Sequence, residues 1–507
     1  MSTLTVIYNA ATRTIPAREG ESVLSALQSA GIAAPDAPCG GNGTCKKCLV
    51  TVDGLGEVLA CKTPVAGDMT VTIPRQNAGA VVAREGAKIP FDLTARPGLG
   101  VAVDIGTTTV VAHLYDLQTG EHLGTRSGMN CQRPFGADVI SRIQYTIDHP
   151  DGLERLSAAI RGQISGYVAD LCAAAGRPAE EVKAVTIAAN TVMEHIYAGL
   201  SPATIAAAPF PPLSLFGDEY DGADVGLSEG CVVYLAPAEA GYVGGDITAG
   251  ILASGAAKAE RPVLFLDIGT NGEMALGSAK DGFVCCAAAA GPAFEGAVIS
   301  QGMAACDGAI SAVEWDGETL SLTVLGGGEA VGICGSGLVD ALAVLLDMGA
   351  VDETGRLLPP DEAPDEALPH LAEDEDERVS FRLTDTVAIT EGDVRQLQLA
   401  KAAIAAGIQT LLDEAGLDED DVDTLYLAGG FGNYIRKESA AAIGLLPPSM
   451  AERIQSVGNT AGQGAAAVLL SEQARRELDE LPGHCRYLEL SGHKKFNDFY
   501  IECMMFA

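Results

Sequence analysis

Two stretches of this chain share one arrangement of apolar and polar positions. Residues 101–116 (VAVDIGTTTVVAHLYD) and 263–276 (VLFLDIGTNGEMAL) each run as an unbroken apolar strand, stop at Asp-Ile-Gly-Thr, and resume as a second strand. Continuous apolar runs closed by glycine predict buried strands joined by a tight turn. The copies stand about 160 residues apart, an internal repeat that predicts two similar lobes with a cleft between them. A third strand-like run, LYLAGGFGNYI (425–435), leads into Gly429, Gly430, Phe431 and Gly432. Helical spacing dominates ITEGDVRQLQLAKAAIAAGIQTLLDEAGL, where Val394, Leu397, Ile404, Ile408 and Leu411 form one apolar face. Thr390 with Asp393 reads as its capping box and Gly416 as its stop. At the N-terminus, TLTVIYNAATRTIPAREGESVLSALQSAGI reads as strand, turn, strand and short helix.

Between these segments the pattern fails in two informative places. Residues 81–98 (VVAREGAKIPFDLTARPG) lack periodicity and precede a strong strand at Leu99, so they read as a linker. Residues 361–377 (DEAPDEALPHLAEDEDE) combine proline with repeated carboxylates and no apolar repeat, which predicts an exposed insertion. The longest charge-free stretch, 196–217, contains four prolines and is thereby excluded as a membrane helix.

Composition narrows the class. A chain of 507 residues at 48% hydrophobic content is globular, with room for about three domains. No basic start followed by an apolar core opens it, so the expected location is the cytoplasm. Residues 1–80 hold six Lys or Arg and six Asp or Glu, so the whole net charge of −36 lies beyond them. This balance argues against nucleic acid as a partner, and the proline-broken stretch against a membrane.

Chemistry concentrates first in Cys39, Cys45, Cys48 and Cys61, separated by five, two and twelve residues, with Gly40, Gly41 and Gly43 among them. A glycine-rich loop lets thiolates converge while backbone amides point at sulfur, which suits a 2Fe-2S cluster. A zinc site is the rival reading, because Cys-x2-Cys alone suits a tetrahedral metal, but it normally wants a second close pair. The other nine cysteines are scattered through apolar segments and read as reduced, packed thiols. Lys46, Lys47 and Lys62 make the rim of the cluster loop basic, suited to an acidic electron-transfer partner or simply solvated.

The repeated turn carries the second chemistry. Gly106 and Gly269 allow close backbone approach, and the hydroxyls of Thr107, Thr108 and Thr270 join N-H groups around phosphate oxygens. Asp104 and Asp267, one from each lobe, would face Mg²⁺, which takes few carboxylates and completes its shell with water and phosphate. Glu295 in GPAFEGA is a candidate for the γ-phosphate and equally for a loop contact, and Glu273 carries the same ambiguity. His195 reads as a satisfied core histidine.

Three resemblances then attach to these motifs. Residues 1–80 resemble a β-grasp 2Fe-2S ferredoxin of adrenodoxin-like spacing. Residues 99–262 and 263–507 resemble the two ribonuclease H-like lobes of the acetate kinase, sugar kinase, Hsp70 and actin superfamily. In that likeness Asp104 to Thr109 match phosphate 1, Asp267 to Gly272 (with Asn271) phosphate 2, and Leu427 to Gly432 the adenosine motif. Segments 333–349 and 458–471 match the two connecting helices. The combination resembles reductive activators of corrinoid proteins, through GPAFEGA, APAEAGYVGGDITAGIL, ITEGDVRQLQLAKAAI, LAGGFGNYI and HKKFNDFYIECMMF. Longer members of that family carry a further middle domain, for which the 18 residues of the linker leave no room. The resemblance implies ATP-driven reduction of a Co(II) corrinoid protein to Co(I), with a low-potential ferredoxin or flavodoxin as donor and a homodimer as assembly. A small-molecule kinase fused to a ferredoxin, and a nucleotide-binding redox sensor without turnover, are the alternatives.

Overall fold

The computed structural model describes residues 2–8, 11–30, 43, 48–73, 91–432 and 434–506. At the N-terminus, alternating buried positions along Ser2–Tyr8 place Leu4 and Val6 in a small core with Ile15, Val23, Leu27, Val50 and Val71. The strand pairs antiparallel with Ala11–Ala17 and parallel with Met69–Thr72, and Leu49–Val52 with Gly56–Leu59 completes a five-stranded sheet. Helix Val23–Ser29 is capped by Ser22, whose hydroxyl accepts from the Ser25 amide at 3.1 Å. Among the described residues, the two strands and the helix read from the sequence are present in that order; the turn between the strands lies outside them.

The expected repeat extends well beyond its hairpins. In the first lobe, Leu99–Ile105, Thr109–Asp116 and His122–Met129 form an antiparallel meander. Val182–Ala189 and then Val232–Leu235 add to its first strand in parallel, with Glu219–Asp221 as an antiparallel edge. The second lobe repeats this order with Val263–Ile268, Gly272–Ser278 and Gly282–Ala288 as meander, and Thr424–Ala428 then Ile454–Gly458 in parallel. Here the extra edge strand is Cys485–Tyr487. Continuous apolar runs mark the first strand of each meander because both of its faces are covered.

One helix follows the last parallel strand of each lobe, and the two cross between the sheets. Gly245–Ser254 follows the first lobe; Thr460–Leu470 leaves the second lobe and lies across strands Leu99–Ile105 and Val182–Ala189 of the first. They meet so closely that a Cβ on Gly464 would stand 2.3 Å from the Ala249 carbonyl oxygen. The segment at 458–471 is therefore a crossing helix as expected, but its partner is not 333–349. Helix Gly335–Asp347 packs instead on Ala309–Trp315 and Lys437–Ala442, within the second lobe. Both segments are glycine-containing apolar helices, so only tertiary packing tells them apart.

Helix Glu391–Ala415 has the expected capping box, with the Asp393 amide donating to Thr390 Oγ1 at 3.2 Å and the Thr390 amide to Asp393 Oδ2 at 2.9 Å. Gly416 ends it at φ +65°. The acidic stretch is mostly exposed, as expected, but it carries a strand and buried anchors that the sequence pattern did not suggest. Leu371–Glu373 pairs with Val379–Arg382, which pairs with Ala388–Thr390, and Ala367, Leu371 and Phe381 are buried in the second-lobe core. Its carboxylates face solvent, as do Pro364, Leu368 and Pro369, while Ala367 and Leu371 anchor it. The linker is likewise not free over its described part: the Thr94 amide donates to Leu470 O, and Leu117 N donates to Gly98 O.

Candidate functional site

The two hairpins face each other across the cleft. In the first, Gly106 leaves room that a Cβ would fill at 2.8 Å from Thr109 O, and Asn130 Nδ2 donates to Gly106 O at 2.8 Å. Asn190 Nδ2 donates to Thr107 Oγ1 at 3.2 Å. In the second, Gly269 N donates to Asn271 O at 2.8 Å. One carboxylate joins the hairpins: Thr108 Oγ1 donates to Glu295 Oε2 at 2.9 Å and Thr270 Oγ1 to Glu295 Oε1 at 2.6 Å. Glu295 thus stands where hydroxyls from both lobes converge, the place expected of a terminal phosphate.

Behind the hairpins lies a group of carboxyls with few counterions. Burial pushes Asp104 up to about 6, opposed by the Asn459 side chain, whose Nδ2 donates to Asp104 Oδ2 at 2.7 Å. Asp267 is pushed up to about 7 by burial and by the charge of Asp104. Asp246, at the start of helix Gly245–Ser254, is raised to about 8 by burial, then by Asp267 and Asp104. Glu273 and Glu194 are raised well above the carboxylate range, each by burial first and by Asp246 next. Each of the three aspartates keeps some access to the cleft while surrounding protein removes most of its hydration. Such a site gains from a cation. Among the described residues no three His, Cys, Asp or Glu form a ready metal cage, so a bound Mg²⁺ would take most of its ligands from phosphate and water.

At the ferredoxin-like end, fully buried Cys48 and partly buried Cys61 point their sulfurs at each other, 3.2 Å apart. That separation is too long for a disulfide and suits two thiolates turned toward one iron. The Ala60 amide donates to Cys48 O at 2.8 Å and ties the two segments together. Cys39 and Cys45 lie outside the described residues.

Comparison with known proteins accounts for both ends of the chain. The model described as "2Fe-2S iron-sulfur cluster binding domain" matches residues 11–76, "RACo middle region" residues 99–259, and "C-terminal domain of RACo the ASKHA domain" residues 261–507. "Corrinoid activation enzyme RamQ" of Eubacterium limosum is 30% identical over 92% of this chain and 93% of its own length. This chain belongs to the reductive activators of corrinoid proteins. A "[Co(II) methylated amine-specific corrinoid protein] reductase" of Methanosarcina barkeri is 29% identical over 79% of this chain and 76% of its own. The solved structure of a "Reductive activator for corrinoid,iron-sulfur protein" superposes with TM-score 0.71 at 32% identity, covering 100% of this chain and 98% of that one. The fold is accordingly an N-terminal 2Fe-2S ferredoxin followed by an actin- and Hsp70-like ATPase. The model described as the middle region coincides with the lobe that carries the first hairpin.

In this activator the segment expected to be the adenosine motif is only partly open. Gly429, at φ +91°, lets the end of strand Thr424–Ala428 press on the site, since a Cβ there would stand 2.5 Å from Asp267 Oδ1. Gly430 faces open space and can lie against a nucleotide. Phe431 stacks on Phe294 with centroids 4.8 Å apart, and a Cβ on Gly432 would stand 3.0 Å from Leu427 Cγ, so both serve packing in this arrangement. His195 is a satisfied core histidine: Nδ1 is 2.7 Å from Thr191 O, and Nε2 accepts from the Leu213 and Ser214 amides.

Several site residues escaped sequence reasoning. Asp246 and Asn459 lie in segments singled out for other reasons, GGDITAG and GNTAGQG, and a polar residue opening a glycine-rich apolar helix was the available signal. Arg142 had none. It is fully buried under the first hairpin, donating to Thr107 O at 2.5 Å, Gly136 O at 3.0 Å and Gln132 Oε1 at 3.2 Å, and burial holds it down at about 9.

Proposed function

We propose that this protein uses ATP to reduce an inactive Co(II) corrinoid protein to Co(I), restoring a cobalamin-dependent methyltransferase system. The observation that carries the reading is the union, in one chain matched along nearly its whole length by corrinoid activators, of a converging thiol pair and a two-lobed phosphate cleft. The reading assigns the ferredoxin to residues 1–80, a linker to 81–98, and the ATPase lobes to 99–262 and 263–507. Cys39, Cys45, Cys48 and Cys61 would hold the 2Fe-2S cluster, which supplies one electron at a time.

In the cleft, Gly106, Thr107 and Thr108 with Gly269, Thr270 and Asn271 bind the phosphates from opposite lobes. Asp104 and Asp267 bear on Mg²⁺, with Asp246 beside them, and Gly429 and Gly430 leave room for the nucleoside. Glu295 lies between the hydroxyls of both hairpins and so either orients the attacking water or yields its place to the terminal phosphate. Exchanging that bridge for a bound phosphate changes what holds the lobes together, which is how nucleotide binding can select one arrangement of them.

Energy is needed because plant-type clusters lie near about −400 mV and the Co(II)/Co(I) couple lies lower. A gap of about 100 mV corresponds to roughly 2–3 kcal/mol for one electron, within reach of differential nucleotide binding. In this reading the chain works in the cytoplasm, draws electrons from a low-potential ferredoxin or flavodoxin, and assembles as a homodimer.

The test is anaerobic absorbance of the protein mixed with reductant, Mg-ATP and a Co(II) corrinoid protein. An ATP-dependent Co(I) band is the expected result. Phosphorylation of an added acid or sugar by the isolated protein would establish the fused-kinase alternative, and nucleotide binding without hydrolysis the sensor.

A further inference from the structure

The tether to the ferredoxin ends on a helix whose other end touches the nucleotide site. At the N-terminus of Thr460–Leu470, Asn459 accepts from the Gly462 amide at 2.9 Å as the cap and donates to Asp104 Oδ2 at 2.7 Å. One side chain therefore couples the start of the helix to a carboxylate placed for Mg²⁺. At the C-terminus, two of the carbonyls that every α-helix leaves without internal partners are taken by the tether. Thr94 N donates to Leu470 O at 2.8 Å and Arg96 Nη2 to Leu469 O at 2.8 Å. In return, Glu472 N donates to Thr94 Oγ1 at 3.0 Å.

The same tether is also bonded to the first lobe, where Arg96 N donates to Leu117 O at 3.1 Å. Phe91 is held separately under Lys258, whose ammonium lies 4.9 Å from the ring centroid. Arg96 thus bridges a first-lobe strand end and a helix that issues from the second lobe. Eleven residues at about 1.5 Å each make that helix a rod of about 16 Å. At the crossing, backbone contact between Gly464 and Ala249 leaves no slack to absorb a shift.

We propose that helix Thr460–Leu470 carries the state of the nucleotide site to the ferredoxin, and that Thr94 and Arg96 are the positioning residues that receive it. The inference rests on the ATPase reading of the cleft. Asp104 Oδ2 can accept from Asn459 Nδ2 or ligate a cation but is not free to do both, so loading the site would pull or release the cap and change the hold of the far end of the rod on the tether.

Hydrogen exchange at the Thr94 amide, with and without Mg²⁺ and a non-hydrolysable ATP analogue, reads the coupling without any corrinoid protein. Its rate is expected to change at least about tenfold in the parent chain and to lose that response in Asn459→Ala. In Arg96→Ala, ATP hydrolysis is expected within about twofold of the parent while ATP stimulation of Co(II) reduction falls at least about tenfold. Arg96→Lys restores part of it, and Thr94→Val, which keeps the amide, gives an intermediate loss. An unchanged Thr94 exchange rate in the parent, or full ATP stimulation in Arg96→Ala, overturns the proposal. A parent chain with no ATP-stimulated reduction would instead sink the activator reading, and the exchange measurement would still decide the coupling.

Discussion

At the scale of single residues, burial sets most of the chemistry. Cys48 and Cys61 face each other because a strand and a turn of the ferredoxin bring them within 3.2 Å. Cys45→Ser is expected to remove most of the cluster absorbance and the cobalt reduction while nucleotide binding persists. Asp267→Ala should keep the cluster absorbance and lose nucleotide binding and ATP-driven cobalt reduction; full ATP-driven reduction in that variant would refute its role. Glu295→Gln keeps the shape of the bridge and removes its charge, so hydrolysis should fall by about 100-fold, as for a lost general base, with nucleotide affinity little changed. Single-turnover hydrolysis beside equilibrium binding separates the two. A pH effect belongs here as well. Burial, then the neighbouring His122, hold His113 down at about 4 in the folded protein, below its unfolded value near 6.5. Between those values the unfolded chain binds a proton that the folded chain refuses, so stability is full above about pH 6.5 and falls as pH drops toward 4. His113→Gln should flatten that part of the stability profile in thermal melts at pH 4.5 and 7, whatever its effect on absolute stability. An unaltered slope would remove His113 as its source.

At the scale of elements, the crossing of Gly245–Ser254 and Thr460–Leu470 is the tightest constraint. Gly464→Ala would set a methyl 2.3 Å from a backbone oxygen. Overpacking of this kind costs about 1–3 kcal/mol, so the variant should melt several degrees lower and hydrolyse ATP more slowly. Melting at the parental temperature would mean that the helices can part at no cost. The long helix Glu391–Ala415 was legible to its caps, because side chain, amide and glycine all act within a few residues there. In the acidic stretch the exposure was legible and the strand was not, because charge counts describe its solvent face whereas Leu371 and Phe381 decide the pairing. The misplaced connecting helix has a related cause. Two apolar, glycine-containing helices look alike until one of them meets Ala249.

At the scale of the whole molecule, a chain of net charge −36 gathers Asp104, Asp246, Asp267 and Glu273 in one cleft and places a buried arginine, Arg142, beneath the first hairpin. Mg²⁺ is the economical counterion, since it arrives with phosphate and water. Chelation by EDTA is accordingly expected to abolish hydrolysis and to weaken ATP binding at least about tenfold, which isothermal calorimetry would detect; undiminished hydrolysis would exclude the metal. The amino-acid sequence by itself determined the four thiols, the repeated Asp-Ile-Gly-Thr hairpins, the duplicated lobes and the family, because each rests on local spacing or on a repeated pattern of burial. Only the tertiary structure decided that Glu295 joins the hairpins, that Asp246 and Asn459 complete the carboxyl group, and which helix pairs with Thr460–Leu470. Those facts depend on residues as much as 355 positions apart meeting in a desolvated cleft, and no local periodicity encodes such a meeting.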